Sequence, residues 1–124
     1  MKMEIEVSTG ELLDKISILM IKSERIKDNK KLENIKKELA HLAPLLIAFA
    51  DFAELFNALK IINESIWDIE DKIRKKENEQ CFDDEFIQLA RSVYMGNDER
   101  ARLKKLINLQ AQSNFIEEKE YTDY

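Results

Sequence analysis

Glycine and proline are almost missing from this chain of 124 residues, which holds only Gly10, Gly96 and Pro44. Hairpin turns and irregular loops depend on these residues, so their scarcity excludes an all-β fold. Cysteine occurs once, as Cys81, and histidine once, as His41. No internal disulfide can form, no thiolate or histidine cluster can hold a metal, and with Cys81 and His41 in different segments no Cys–His dyad is expected. Neither metal nor cofactor is expected. Long apolar runs are absent too: the longest, around Leu42 to Ala50, is far short of a bilayer span and contains Pro44. Met1 to Glu6 carry acid where a secretion signal needs an apolar run, so a cytoplasmic protein without membrane contact is expected.

Charge is what the chain has in abundance. Charged residues make up 36% against 44% hydrophobic, a mixture that suits narrow apolar stripes on helices with wet outer faces. The signs are interleaved and the formal net charge is −5, which argues against generic nucleic-acid binding, since that needs a basic surface. At this length a single domain over residues 1–124 is expected.

Apolar residues recur every three or four positions from Leu45 to Ile73, through Ala48, Phe52, Leu55, Leu59, Ile62, Ile66 and Ile69. A helix over that stretch is about 43 Å long, long enough to be the spine of a bundle and to offer part of its length to a second copy. Before it, Met3, Ile5 and Val7 alternate with Glu4 and Glu6 as in a short strand. Ser8 to Glu11 has the form of a capping box, opening a first helix to about Lys27 whose seam is Leu12, Ile16, Leu19, Ser23 and Ile26. Asp28-Asn29 ends it and offers a cap for a second helix, which begins near Lys30 with seam Leu32, Ile35, Leu39, Leu42 and Leu46. Pro44 either kinks this rod or breaks it, and the seam starting at Leu45 favours the break. Asp83 or Asp84 caps a fourth helix, closed by Gly96 as a left-handed residue; Asn97 or Asp98 caps a fifth. The tail from Phe115 to Tyr121 has no helical stripe and is placed beside the N-terminal arm as a paired strand. The expected fold is all-α, a four- or five-helix bundle with one long central helix and short extended termini.

Several runs carry a resemblance in combination. They are Val7 to Ile16, Ile21 to Ile26, Asn63-Glu64, Trp67 to Asp71, Ile73-Arg74, Phe86-Ile87, Leu89 to Tyr94, Asn97-Asp98, Arg100-Ala101, Leu103-Lys104, and Glu117 to Lys119 with Tyr121. Together they resemble a family of small, uncharacterised bacterial proteins, a domain of unknown function, over nearly the whole chain except around Pro44. The resemblance implies no reaction. It does fall mostly on charged positions, which points to a shared polar site.

Asn63, Glu64, Trp67, Asp71 and Arg74 form one band along the third helix, with Asp68 and Glu70 beside it. Glu11, Asp14, Lys15, Lys22 and Arg25 run along the first helix at similar spacing. Facing one another, the bands make either an interhelical salt-bridge ladder with Trp67 filling a gap, or a groove for an anion. In the groove, Lys22, Arg25 and Arg74 would bind carboxylate or phosphate, while Glu64 or Asp71 orients a hydroxyl. Leu13-Asp14 through Arg25 is also similar in style to the first helix of helical chorismate mutases, although the rest of that family's cationic pattern is not matched. Asp51-x-x-Glu54 and Asp68-x-x-Asp71 imitate the magnesium-binding pairs of all-helical nucleotide pyrophosphohydrolases, but on one rod they would lie more than about 20 Å apart. Ser8-Thr9-Gly10 could hold a phosphate at a helix start, and an ordinary cap explains it equally well. Arg100, Arg102, Lys104 and Lys105 make the last helix locally basic, either as a docking face for an acidic partner or as a solvated surface. The preferred reading is a cytosolic assembly or protein-interaction module that self-associates as a homodimer or higher oligomer. The competing one is an enzyme or binder acting on an anionic metabolite.

Overall fold

The Ser8 hydroxyl accepts a hydrogen bond from the Glu11 backbone N–H at 3.2 Å and so starts α1, Thr9–Arg25. The expected return contact of the capping box is replaced: the Glu11 carboxylate instead accepts from Lys104. Asp28 caps α2, Asn29–Leu42, by accepting from Lys31 N–H at 2.9 Å. Asp83 does the same for α4, Asp84–Gln110, at Phe86 N–H. The computed structural model describes residues 1–124, and all its regular secondary structure is helical, with no strand. No helix is long and apolar enough to cross a membrane.

The straight rod expected over 45–73 is in two pieces. Ala43–Phe52 is a 3₁₀ segment with Pro44 in its first turn, and α3 runs only from Ala53 to Asn78. Pro44 has no N–H to continue α2, and Phe49 leaves helical geometry at φ −118° and ψ 28°. The packing residues of this segment are Leu46, Phe49 and Phe52, spaced by three, which one face of a 3₁₀ helix requires. Leu45 and Ala48, placed inward by the α-helical reading, are exposed. A tighter winding has therefore moved the seam by one residue. Beyond Ala53 the expected long central helix is present.

The separate fourth and fifth helices are one helix of 27 residues. Gly96 closes nothing: it is buried mid-helix, where a Cβ would meet Ile66 Cγ1 at 3.0 Å. Gly10 has the same use in α1, since a Cβ there would stand 2.6 Å from the Lys104 carbonyl oxygen. Both glycines therefore permit close helix packing. The left-handed terminal positions fall to Gln80 and Gln112, each at φ 54°. Behind them, Cys81 N–H donates to the Lys76 carbonyl and Ser113 N–H to that of Asn108, the six-to-one bonds that tie off helix ends.

The extended ends do not pair as strands. Thr9 N–H donates to Ser113 Oγ at 3.1 Å and Asn114 to Glu6 at 3.1 Å, both through side chains. The tail turns back along α4, where Lys104 and Lys105 bind Glu117 and Glu118, and the ring of Tyr124 meets that of Tyr94 at 5.3 Å. Burial centres on α1, through Leu13, Ile16, Leu19 and Ile21, with Leu59 from α3 and Leu103 and Ile107 from α4.

Candidate functional site

Asp14 lies on the buried stripe of α1 between Leu13 and Ile16, only 2% exposed. A carboxylate there needs compensation, because burying an unpaired charge costs several kcal/mol. Arg100 of α4 supplies it through two parallel hydrogen bonds, Nε to Oδ1 at 2.9 Å and a terminal nitrogen to Oδ2. Asn63 of α3 donates through Nδ2 to Asp14 Oδ1 and to Ser17 Oγ, each at 2.9 Å. Ser17 in turn donates to the Asp14 carbonyl at 2.8 Å. The hydrogen bond to Asp14 raises the Arg100 pKa further against the opposing effect of burial, so the guanidinium is a permanent cation. One buried acid thereby joins α1, α3 and α4.

Arg100 also borders an open groove of about 460 Å³ between these helices. Ile18, Ile21 and Ile66 give it apolar walls, and Trp67, Lys22, Glu70, Asp71 and Arg74 complete it. Glu70 is held by Arg74 at 3.3 Å and Asp71 by Lys75 at 3.1 Å, both one turn along their own helix. Lys22 has no acidic partner within 4.0 Å. The groove thus combines an apolar body, an aromatic ring, an unengaged ammonium and a guanidinium fixed from behind. Such a set can take an anion at Lys22 and Arg100, a flat apolar group at Trp67, and hydroxyls at Glu70 and Asp71.

Of the residues expected at the site, Lys22, Trp67, Asp71 and Arg74 line this groove, whereas Arg25 and Glu64 do not. Arg25 binds Glu64 at 3.7 Å and Asp68 at 2.5 Å on the adjoining face, with its guanidinium 6.0 Å from the centre of the Trp67 ring. That part of the band is the salt-bridge ladder. Asp14 and Arg100, the anchoring pair, were visible in the sequence only as members of separate charged runs. The signal for Asp14 is an acid on the same stripe as Leu13, Ile16 and Ser17. For Arg100 it is a cation in step with Gly96, Leu103 and Ile107.

The basic run of α4 offers no free docking face. Arg102 is held by Glu99, Lys104 by Glu11 and Glu117, and Lys105 by Glu118. Burial opposes the charge on Lys104, but its hydrogen bonds to the two glutamates prevail and raise its pKa. The start of α1 is equally engaged, its Gly10 N–H donating to Asn108 Oδ1 at 2.6 Å, so the phosphate reading of Ser8-Thr9-Gly10 loses a donor. His41 is exposed on α2 and Cys81 half-buried beside Lys76, in different regions. No group of three or more His, Cys, Asp or Glu side chains gathers where a metal ion could be held.

No curated protein and no solved structure matches the chain. A family model does, over residues 1–124, and with it the chain belongs to the family of unknown function DUF6165.

Proposed function

We propose that the groove between α1, α3 and α4 binds a small hydroxylated anion, carrying a carboxylate or phosphate on an apolar or ring-shaped body. The observation that carries this reading is the unpaired Lys22 ammonium in a groove shared with Arg100, whose orientation is fixed by buried Asp14. A cation already oriented loses little freedom when an anion arrives, and the apolar walls of Ile18, Ile66 and Trp67 strengthen the attraction by excluding water. Glu70 and Asp71, neutralised by Arg74 and Lys75, are left as acceptors for hydroxyl groups. Binding alone accounts for this arrangement. The lone thiol of Cys81 suits a reducing, cytoplasmic setting.

Melting curves with phosphate, benzoate and phenyl phosphate test the groove. A probe held at ten times its dissociation constant raises the melting temperature by about 5–6 °C, and Lys22→Ala removes the rise while leaving the unliganded midpoint in place. If no probe shifts the midpoint, or if Lys22→Ala responds as the parent chain does, the groove is not an anion site.

A second role, that of a self-associating assembly module, is supported by a different part of the molecule. Between Ile69 and Met95 no residue is buried, although the stretch contains Ile73, Phe82, Phe86, Ile87, Leu89 and Val93.

A further inference from the structure

Two antiparallel helices can bury only the faces they turn to each other. Past the end of α1 at Arg25, the outer parts of α3 and α4 run on as such a pair, with no third helix across them. A compact chain of 14.6 kDa exposes about 6,900 Å², whereas this one exposes 9139 Å², an excess of about 2,200 Å². Part of the excess belongs to the extended ends, 1–8 and 114–124. Each partner in a stable dimer gives up about 800 Å², so there is surface to spare for one.

The outer face of α4 shows how it would be used. Asp84, Ile87 and Arg91 follow one another at intervals of three and four, share one side of the helix and are all exposed, Ile87 by 50%. Tyr94, next along this side, is already met by the Tyr124 ring of the same chain and bounds the strip. Asp84 and Arg91 make no ion pair within the chain, in contrast to Asp83 and Glu85, which bind Lys76. An acid near one end of the strip and a base toward the other, with an isoleucine between them, is a self-complementary pattern. Laid antiparallel on its own copy about a two-fold axis at Ile87, the strip brings Asp84 opposite Arg91 twice and Ile87 onto Ile87. Parallel pairing would set like charges together.

We infer that the outer strip of α4 is the contact between two copies of this chain, packed antiparallel so that two helical hairpins close into a four-helix arrangement. This rests on the self-association reading and is independent of the anion groove. The contact is isologous, so a single substitution acts on it twice.

Sedimentation equilibrium of the full chain from about 1 to 100 µM tests the contact, a range in which a dimer held by about 7–8 kcal/mol is read directly. The parent chain should sediment at twice its own mass. Ile87→Glu should raise the dissociation constant by about 100-fold or more, because an acid then faces its own copy across the axis. Arg91→Glu should weaken the dimer by about tenfold, and Asp84→Lys combined with Arg91→Glu should restore it. Ile47→Glu, at a site 84% exposed on the 3₁₀ segment, should leave it intact. Because Ile87 is half exposed in the single chain, circular dichroism should show the variant folded. A parent chain at single-chain mass throughout the range refutes self-association itself. A dimer that survives Ile87→Glu, or that is broken by Ile47→Glu instead, refutes this face while leaving self-association standing.

Discussion

The two ends of the α3–α4 pair are built from similar sequence and held in opposite ways. At the α1 end, Leu59, Leu103 and Ile107 enclose Leu13, Gly10 lies against the α4 backbone, and Asp14 ties three helices through Arg100 and Asn63. At the far end, Ile69, Ile73, Phe86, Leu89 and Val93 are only half-buried, and the ion pairs there are local ones such as Lys76 with Asp83 and Glu85. Identical apolar spacing therefore gives a core or an open face according to whether a third helix is present. The groove begins at the near end with its anchored arginine and runs onto the open end through Glu70, Asp71 and Arg74, so the candidate site spans both regions.

Asp14→Ala would break this contrast most severely. It leaves Arg100 partly buried without its partner and frees Asn63, and should cost about 3–5 kcal/mol in urea unfolding. Loss of less than about 1 kcal/mol would mean the buried acid does not hold the near end together. Next comes the paired truncation of the two regions. Leu59→Ala should cost about 2–4 kcal/mol by opening a cavity in an enclosed site, while Ile73→Ala in the single chain should cost about 1 kcal/mol. Equal losses would mean the hairpin is as well packed as the core.

Gly10→Ala forces a methyl group onto the Lys104 carbonyl and Asn108, so α1 and α4 must part. About 1–3 kcal/mol is expected, together with faster amide exchange in the first turn of α1. Gly96→Ala meets only the Ile66 side chain, at Cγ1, and no backbone, and should cost less. The smallest effect concerns the tail. The hydrogen bond from Lys104 lowers the Glu117 pKa below its ordinary 4.5, and that of Lys104 is raised above its ordinary 10.5. The anchoring contribution of Glu117 is thus complete above about 4.5 and fades as pH falls through its depressed folded value, and that of Lys104 is complete below about 10.5 and fades above it. Proteolysis after Lys119 should therefore be slow at neutral pH and should quicken with Glu117→Gln.

Helix starts were legible in the residues because capping is local: Ser8, Asp28 and Asp83 each satisfy an amide three positions on. Gly96 was misread because its isolated position looks like a terminus, while its use depends on Ile66, thirty positions earlier. The segment after Pro44 was misread because apolar residues fill nearly every position there, so windings of 3.6 and 3.0 residues per turn both find a seam. For the candidate site, helical periodicity put Trp67, Asp71 and Arg74 on one side of α3 and Lys22 within reach. It could not assign Arg25 to the neighbouring face, because a charged band about a third of a turn wide fits either side of a partner helix.

Periodicity, capping residues and the scarcity of glycine, proline and cysteine determined by themselves that this chain is helical and where most helices begin, since each acts over a few neighbouring residues. Which stripe became core, which acid was buried and which cation was left unpaired were decided only when α1 packed across the α3–α4 pair. Burial and ion pairing depend on atoms brought together from opposite ends of the chain, as Asp14 and Arg100 are.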